Sequence, residues 1–136
     1  MGFVYVGGKT NQHINGYMKI GETNQQYLST RIAQIRASEG NFTVFKYIEV
    51  PNSTKAITRA IEGHTRMMLE RDGWKNVQND HFIASINKNT RESIYQAFTN
   101  RAIEHMVNYC NTYGIQYMVK DDKTELKKTV KRKSKG

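Results

Sequence analysis

Two stretches near the beginning of the sequence are rich in β-forming residues, and a short polar stretch separates them. The first, residues 2–8, carries four consecutive residues that suit a strand: Phe3, Val4, Tyr5 and Val6. The second is residues 17–21, and the polar residues 9–16 between the two end in Asn15 and Gly16, a pair typical of turns. The sequence therefore predicts an antiparallel hairpin, around which the other elements must pack.

The rest of the chain alternates between helical and strand patterns. Residues 29–38 predict a helix, because Leu28, Ile32 and Ile35 have the spacing of a buried stripe. Residues 42–50 predict a third strand. Further on we expect a helix capped by Ser53 or Thr54 and ending near residue 71, a loop over residues 74–80, a helix over residues 90–111 and a short strand within residues 115–119.

This order of elements predicts an α+β fold, in which a small antiparallel three-stranded sheet is flanked by helices. We divide the chain into a domain over residues 1–85, a C-terminal helix and short extension over residues 86–120 that pack on it, and a basic, flexible tail over residues 121–136. The core should include one face of the hairpin and one face of each later helix. The residues assigned to it are Val4, Val6, Met18 and Ile20 of the hairpin, Ile57, Ala60, Ile61 and Met68 of the second helix, and Ile94, Phe98, Met106, Tyr109, Cys110 and Tyr113 of the last helix.

The chain is strongly basic. Its 21 Lys and Arg residues exceed its 12 Asp and Glu residues, which gives a formal net charge of +9. Six of the positive charges lie in the last ten residues: Lys127, Lys128, Lys131, Arg132, Lys133 and Lys135. A field of this sign attracts polyanions, so we expect the tail to bind nucleic-acid phosphates. DNA is the favoured partner, and RNA stays open.

The single cysteine, Cys110, excludes an internal disulfide and suits a reducing compartment. No stretch has the apolar length of a membrane span, and the N-terminus lacks a secretory pattern. We therefore expect an intracellular protein without a membrane partner, located in the cytoplasm, or in the host cytoplasm if it is viral. The sequence leaves monomer and homodimer open.

Four side chains suggest chemistry. Side chains alternate along a strand, so Tyr5 and Lys19 should lie together on one face of the hairpin. A neighbouring ammonium favours the phenolate that takes a proton from water, and an ordinary cross-strand contact is the alternative. Arg31 could hold a phosphate at the edge of the first helix, or be solvated. Glu62 could bind a hard divalent cation, or pair with Arg66 one turn further on.

Several short segments follow one another in an order that resembles the GIY-YIG nuclease family. They are Gly2-Phe3-Val4-Tyr5, Tyr17-Met18-Lys19-Ile20-Gly21-Glu22-Thr23, Thr30-Arg31-Ile32 and Ile61-Glu62, followed by a looser match at Asp80-His81-Phe82. The K-I-G-x-T pattern of the second segment is most similar to the branch of the family that is common in phages and large viruses. The resemblance covers residues 2–85.

The resemblance implies a DNA endonuclease, a hydrolase of phosphodiester bonds that uses one Mg²⁺ or Mn²⁺ per site. Tyr5 matches the tyrosine that acts as general base or orients the water, and Lys19 falls where many members have a second tyrosine. Arg31 matches the arginine that stabilises charge on phosphorus, and Glu62 matches the metal ligand. Further residues that could line such a site are Tyr17, Thr23, His64, Asn76 and Asn79.

The chain departs from the family pattern at Ile35, where many members have a histidine one turn after the arginine. Two alternatives to a nuclease stay open at this point. One is a nucleic-acid-binding protein that uses the same scaffold without catalysis. The other is a phage protein that binds a host protein.

Overall fold

The computed structural model describes residues 1–8, 17–39, 42–78, 81–83 and 91–121. Within them the elements are β1 (Gly2–Gly8), β2 (Tyr17–Thr23), α1 (Leu28–Glu39), β3 (Thr43–Val50), α2 (Lys55–Arg71), β4 (Asn76–Gln78), β5 (His81–Ile83), α3 (Arg91–Tyr113) and β6 (Met118–Asp121). The strands form one antiparallel sheet in the order β4-β5-β2-β1-β3-β6. The α+β class predicted from the sequence is confirmed.

The prediction of a three-stranded sheet is wrong, because the described residues form a sheet of six strands. The three predicted strands are β2, β1 and β3, and they make up its centre. The additional strands are only three or four residues long, so they carry no readable alternation of polar and apolar residues. Pairing with a neighbouring strand makes them strands: β5 pairs with β2, β4 with β5, and β6 with β3. β4 replaces part of the predicted loop over residues 74–80, β5 follows that loop, and the short strand predicted within residues 115–119 is β6, which begins at Met118.

One face of the hairpin is covered by α2 and α3. The four hairpin residues assigned to the core are fully buried there, as predicted: Val4, Val6, Met18 and Ile20. They pack with residues of both helices, among them Ile61, Leu69, Phe98 and Met106. Burial of side chains of this size stabilises the folded state by roughly 1.5–3 kcal/mol each. This cluster therefore fixes the position of α2 over the sheet.

The opposite face of the sheet is covered by α1. The predicted stripe of α1 is confirmed, since Leu28, Ile32 and Ile35 are all buried against the sheet. Opposite them lies a mostly aromatic set of residues: Phe3, Tyr5, Phe42 and Tyr47. Position 35 is thus a core position, which accounts for its apolar side chain. The hairpin occupies the middle of three layers, with α1 on one side and α2 and α3 on the other.

The buried side of α2 includes Ile61, as predicted, and Ile57 packs against the core, but the buried side is otherwise rotated from the predicted one. Ala60 is exposed, and the side that faces the core consists of Thr58, Ile61, Thr65 and Leu69. The two threonines can be buried because their hydroxyls donate hydrogen bonds, that of Thr58 to Glu22 at 2.8 Å and that of Thr65 to the carbonyl of Ile61 at 2.7 Å. A hydropathy pattern counts threonine as polar and so misses them. The resulting rotation of α2 brings Glu62 to the margin of the buried side.

The last helix, α3, packs on α2 and on the same face of the sheet. Phe98, Met106 and Cys110 are fully buried, as predicted, and burial raises the pKa of the Cys110 thiol to about 11. Tyr113 does not belong to the core, because it is 66% exposed; its ring contacts that of Tyr109, at a centroid distance of 4.6 Å. None of the helices in the described part of the chain is long and apolar enough to cross a membrane.

A hydrogen-bonded cluster joins the end of α2 to α3. Gly73 has a φ of +100°, which suits glycine, and it ends α2 directly after Asp72. The carboxylate of Asp72 accepts two hydrogen bonds from Arg101, at 2.7 and 3.1 Å, and contacts Nε2 of His105 at 2.6 Å. These hydrogen bonds, that from Arg101 first, lower the pKa of Asp72 from 3.8 to about 2. The cluster therefore stabilises the folded state only while this carboxylate is ionised.

The cluster predicts how stability depends on acid pH. Because the pKa of Asp72 is lower in the folded state, its contribution is fully present above about pH 4 and is lost as the pH falls to about pH 2. We expect Asp72→Asn to be less stable than the wild type at neutral pH, with a difference that disappears towards about pH 2. Urea unfolding at several pH values measures this, and Glu70→Gln, an exposed change on the same helix, is the control. A difference that does not vary with pH would contradict the assignment.

Candidate active site

A cavity of about 370 Å³ opens at the edge of the sheet, beside the second half of β2. In the described residues, β5 pairs with β2 only from Tyr17 to Lys19, which leaves the stretch from Ile20 to Thr23 at the sheet edge. The cavity is lined from β1, β2, α1 and α2, by Tyr5, Glu22, Arg31, Arg59, Glu62 and Arg66 together with two glycines. Three residues predicted to share a site, Tyr5, Arg31 and Glu62, therefore line one cavity from three separate elements.

Tyr5 lies at the floor of this cavity, and Gly21 determines its position. The two residues are paired across β1 and β2, and the tyrosine ring lies over the backbone of Gly21. A Cβ atom at Gly21 would collide with the ζ carbon and the hydroxyl oxygen of Tyr5. The other side of the ring packs edge-on against Phe42, at a centroid distance of 6.2 Å. Glycine at position 21 thus allows the phenol to reach across β2 to the cavity.

Arg31 reaches the cavity from α1. Because Leu28, Ile32 and Ile35 bury the sheet-facing side of this helix, Arg31 comes to lie beside that buried side and is only partly exposed. Its Nη1 donates a long hydrogen bond of 3.4 Å to Gln34, and a guanidinium group has four further N–H donors. A planar guanidinium in this position can contact two oxygens of one phosphate.

Two carboxylates line the cavity, and basic side chains accompany each of them. Glu62 lies 3.7 Å from Arg66, which confirms the ion pair considered from the sequence but places it in the cavity rather than on a remote surface. Glu22 accepts a hydrogen bond from Thr58 and lies 3.5 Å from Lys55 and 3.9 Å from Arg59. The cavity lining therefore has three guanidinium groups and two carboxylates.

Besides the two glycines, three of the lining residues were not predicted as site residues: Glu22, Arg59 and Arg66. Helical spacing could have indicated the arginines, because they lie three residues before and four residues after Glu62 and so share its side of α2. Glu22 is the variable position of the K-I-G-x-T segment, and no sequence pattern marks it. Its place follows from the pairing of Val4 with Glu22, which puts its side chain on the α2 side of the sheet.

Lys19 is buried on β2, two residues before Gly21, and so lies on the same side of the sheet as Tyr5. It is a diagonal neighbour of Tyr5 across the strands rather than a direct one, and it is not among the residues that line the cavity. Its proposed assistance to Tyr5 stays a prediction.

Of the other residues suggested from the sequence, Thr23, His64 and Asn76 are described, and none of them lines the cavity. Thr23 accepts a hydrogen bond from the backbone of Gln25 at 3.2 Å and so holds the turn after β2. The ring of His64 packs on Tyr109 at 4.9 Å, and burial, with a smaller contribution from His105, lowers the pKa of His64. Asn76 begins β4. The side chain of Tyr17, residue 79 and the basic residues 127–135 lie outside the described residues.

The oxygen donors of the cavity fit a hard divalent cation. Mg²⁺ is usually held by one or two carboxylates, and the remaining positions are taken by water and by phosphate oxygens of the substrate. No group of three or more His, Cys, Asp or Glu side chains that could hold a metal ion occurs among the described residues. Glu62 would therefore hold Mg²⁺ or Mn²⁺ together with water and substrate, and Glu22 is the other carboxylate at the cavity.

Comparisons of this chain with protein-family models, with curated proteins and with solved structures find no match.

Proposed function

We propose that this protein is an endonuclease of the GIY-YIG type, which hydrolyses DNA phosphodiester bonds with one divalent metal ion. The observation that supports this proposal is the convergence of Tyr5, Arg31 and Glu62 on one cavity at an open sheet edge. These residues come from β1, α1 and α2, and the sequence motifs predict a role for each of them. The basic net charge of +9 suits a polyanionic substrate.

Each residue then has a role that follows from its chemistry. Arg31 binds the non-bridging oxygens of the phosphate and stabilises the charge that develops on them. Glu62 holds the metal ion, which supplies Lewis-acid stabilisation of the phosphoryl oxygens when it is bound. The hydroxyl of Tyr5 orients the attacking water, or takes its proton, from the floor of the cavity.

The burial of Tyr5 implies that the cavity must open for substrate. Tyr5 lines the cavity, and yet none of its surface is exposed. The mouth of the cavity carries the long side chains of Arg59 and Arg66, which are partly exposed to solvent. Exposed side chains of this kind change rotamer within nanoseconds, so they can move aside when a phosphate enters.

The proposal predicts metal-dependent cleavage of DNA. Incubation of the full chain with supercoiled plasmid should give nicked or linear product in the presence of Mg²⁺ or Mn²⁺, and none with EDTA. End-labelled duplex and single-stranded substrates would then give the position and strand of the cut. Binding to DNA without any metal-dependent product would instead favour a nucleic-acid-binding protein that keeps the scaffold without the reaction.

A further inference from the structure

Four charged residues of α2 lie on one side of the helix, next to its buried side. They are Lys55, Arg59, Glu62 and Arg66, spaced at intervals of four, three and four residues. With 3.6 residues per turn this spacing keeps them within roughly 60° of one another around the helix axis. At 1.5 Å per residue the set extends about 16 Å along α2. We call these four residues the α2 stripe.

The two arginines of the α2 stripe line the cavity, and Lys55 lies one turn before Arg59. The side chains of Arg59 and Arg66 are 67% and 37% exposed, whereas those of their partners Glu22 and Glu62 are 13% and 14% exposed. The corresponding ion pairs are long, at 3.9 Å and 3.7 Å. Exposed pairs of this kind contribute little free energy, because water screens them. A phosphate, which a guanidinium can contact through two hydrogen bonds, is a stronger partner for these arginines.

We propose that Lys55, Arg59 and Arg66 bind phosphates of one DNA strand on both sides of the bond that is cleaved, an inference that rests on the proposed function. Glu62 lies between Arg59 and Arg66 in the α2 stripe. A strand that places one phosphate at Glu62 therefore passes Arg59 in one direction and Arg66 in the other.

The length of the α2 stripe indicates the size of the substrate. One strand of B-DNA advances about 3.4 Å per phosphate along the helix axis, so a stripe of about 16 Å is long enough to contact more than one phosphate. The substrate of this site is accordingly an internal segment of a polynucleotide, and the arginines of α2 position it while Arg31 acts at the central phosphate.

The test is the salt dependence of DNA binding by the full chain in EDTA, which needs no cleavage. Each phosphate contact that is lost lowers the slope of log affinity against log salt by about 0.9, so Arg59→Ala and Arg66→Ala should each weaken binding by about 5–10-fold at moderate salt. In the double variant Arg59→Ala/Arg66→Ala, the slope of log affinity against log salt should fall by about twice as much as in either single variant. Arg59→Lys should keep the slope, since it keeps the charge.

Arg71→Ala is the matched control. Arg71 is an exposed arginine of the same helix, but it lies on the side opposite the α2 stripe. Loss of an equal slope in Arg71→Ala and Arg59→Ala would show a diffuse charge effect and overturn the proposal. A wild-type chain that does not bind DNA, or variants with the wild-type slope, would overturn it as well.

Glu22 provides a test of opposite sign. On DNA binding, Arg59 and Lys55 would leave the carboxylate of Glu22 and contact phosphate instead. Glu22→Gln removes the carboxylate charge that competes with phosphate for these two cations, so it should tighten DNA binding about threefold or more in EDTA. The amide oxygen of glutamine can still accept the hydrogen bond from the hydroxyl of Thr58, so the packing of α2 is kept. Unchanged or weaker binding by Glu22→Gln would contradict the exchange.

The two proposals fail in distinguishable ways. A reduced salt slope in Arg59→Ala, with no cleavage by the wild type under any metal, would retain the binding site and reject the nuclease. Metal-dependent cleavage by the wild type, with unchanged slopes in the arginine variants, would retain the nuclease and reject the role of the α2 stripe. In an active enzyme, Arg59→Ala should raise KM while it leaves kcat within about threefold.

Discussion

Arg31→Ala is expected to lower the rate of cleavage at saturating DNA by about 10²–10³-fold, because removal of a group that stabilises charge in the transition state costs about this much. Its effect on binding should be small, because an interaction with charge that develops in the transition state contributes little to the affinity for uncleaved DNA. A variant that loses kcat but keeps its affinity has lost an interaction made mainly in the transition state. This outcome would distinguish Arg31 from Arg59, because Arg59→Ala should weaken binding and leave kcat nearly unchanged.

The measurement is single-turnover cleavage of end-labelled DNA at saturating enzyme, with affinity measured separately in EDTA. Glu62→Gln belongs in the same experiment, because loss of the metal ligand should reduce the rate comparably and make the remaining rate respond to higher Mn²⁺ concentration. Arg71→Ala and Glu70→Gln change the same charges at exposed positions of α2 and should cleave like the wild type. Wild-type rates in Arg31→Ala and Glu62→Gln would refute the catalytic roles.

The parts of the fold that the sequence predicted well are those with regular patterns. The hairpin and α1 have alternation or helical spacing strong enough to assign their buried sides, and Val4, Met18 and Ile32 are buried as expected. The central three strands follow from the same patterns. These elements carry Tyr5 and Arg31, but the sequence did not predict that α1 covers the face of the hairpin on which Tyr5 lies.

The parts that were missed depend on partners distant in sequence. The short strands β4 and β5 exist because β5 pairs with β2 and β4 pairs with β5, and no local pattern shows this. The short strand predicted within residues 115–119 is present as β6, but its bounds, Met118–Asp121, follow from its pairing with β3. The buried side of α2 was misplaced because Thr58 becomes buried through its hydrogen bond to Glu22, 36 residues away. A pattern of local hydropathy contains no information on such a partner.

The candidate site shows the same division. Its predicted members, Tyr5, Arg31 and Glu62, came from short motifs and the order in which they occur. Glu22 and Arg59 line the cavity because of the way α2 packs beside β2. This packing depends on which side of α2 is buried, and the sequence did not predict that side correctly. Motifs thus indicated the central chemistry, and tertiary packing adds the residues that surround it.

Gly21→Ala is expected to disrupt both the folded state and the site, although it adds only one methyl group. The added Cβ would overlap the far end of the Tyr5 ring, which is fully buried and held against Phe42. Overpacking of this kind costs about 1–3 kcal/mol of stability. Displacement of the ring also moves the hydroxyl of Tyr5 away from the cavity floor, so cleavage should fall at least as far as in Tyr5→Phe.

A double-mutant cycle identifies the Tyr5 ring as the cause. In a Tyr5→Leu background the far end of the ring is absent, so the added methyl at position 21 should cost much less, with a coupling of about 1–2 kcal/mol between the two changes. Gly63→Ala is the control, because Gly63 lines the same cavity but a Cβ there meets no atom within 4 Å. Since Gly63 lies inside α2, this change should stabilise the protein by about 0.5–1 kcal/mol. Two outcomes would show that the close approach of the Tyr5 ring to Gly21 does not position the phenol. One is that the losses of stability from the changes at positions 5 and 21 are additive. The other is that Gly21→Ala keeps wild-type stability and cleavage.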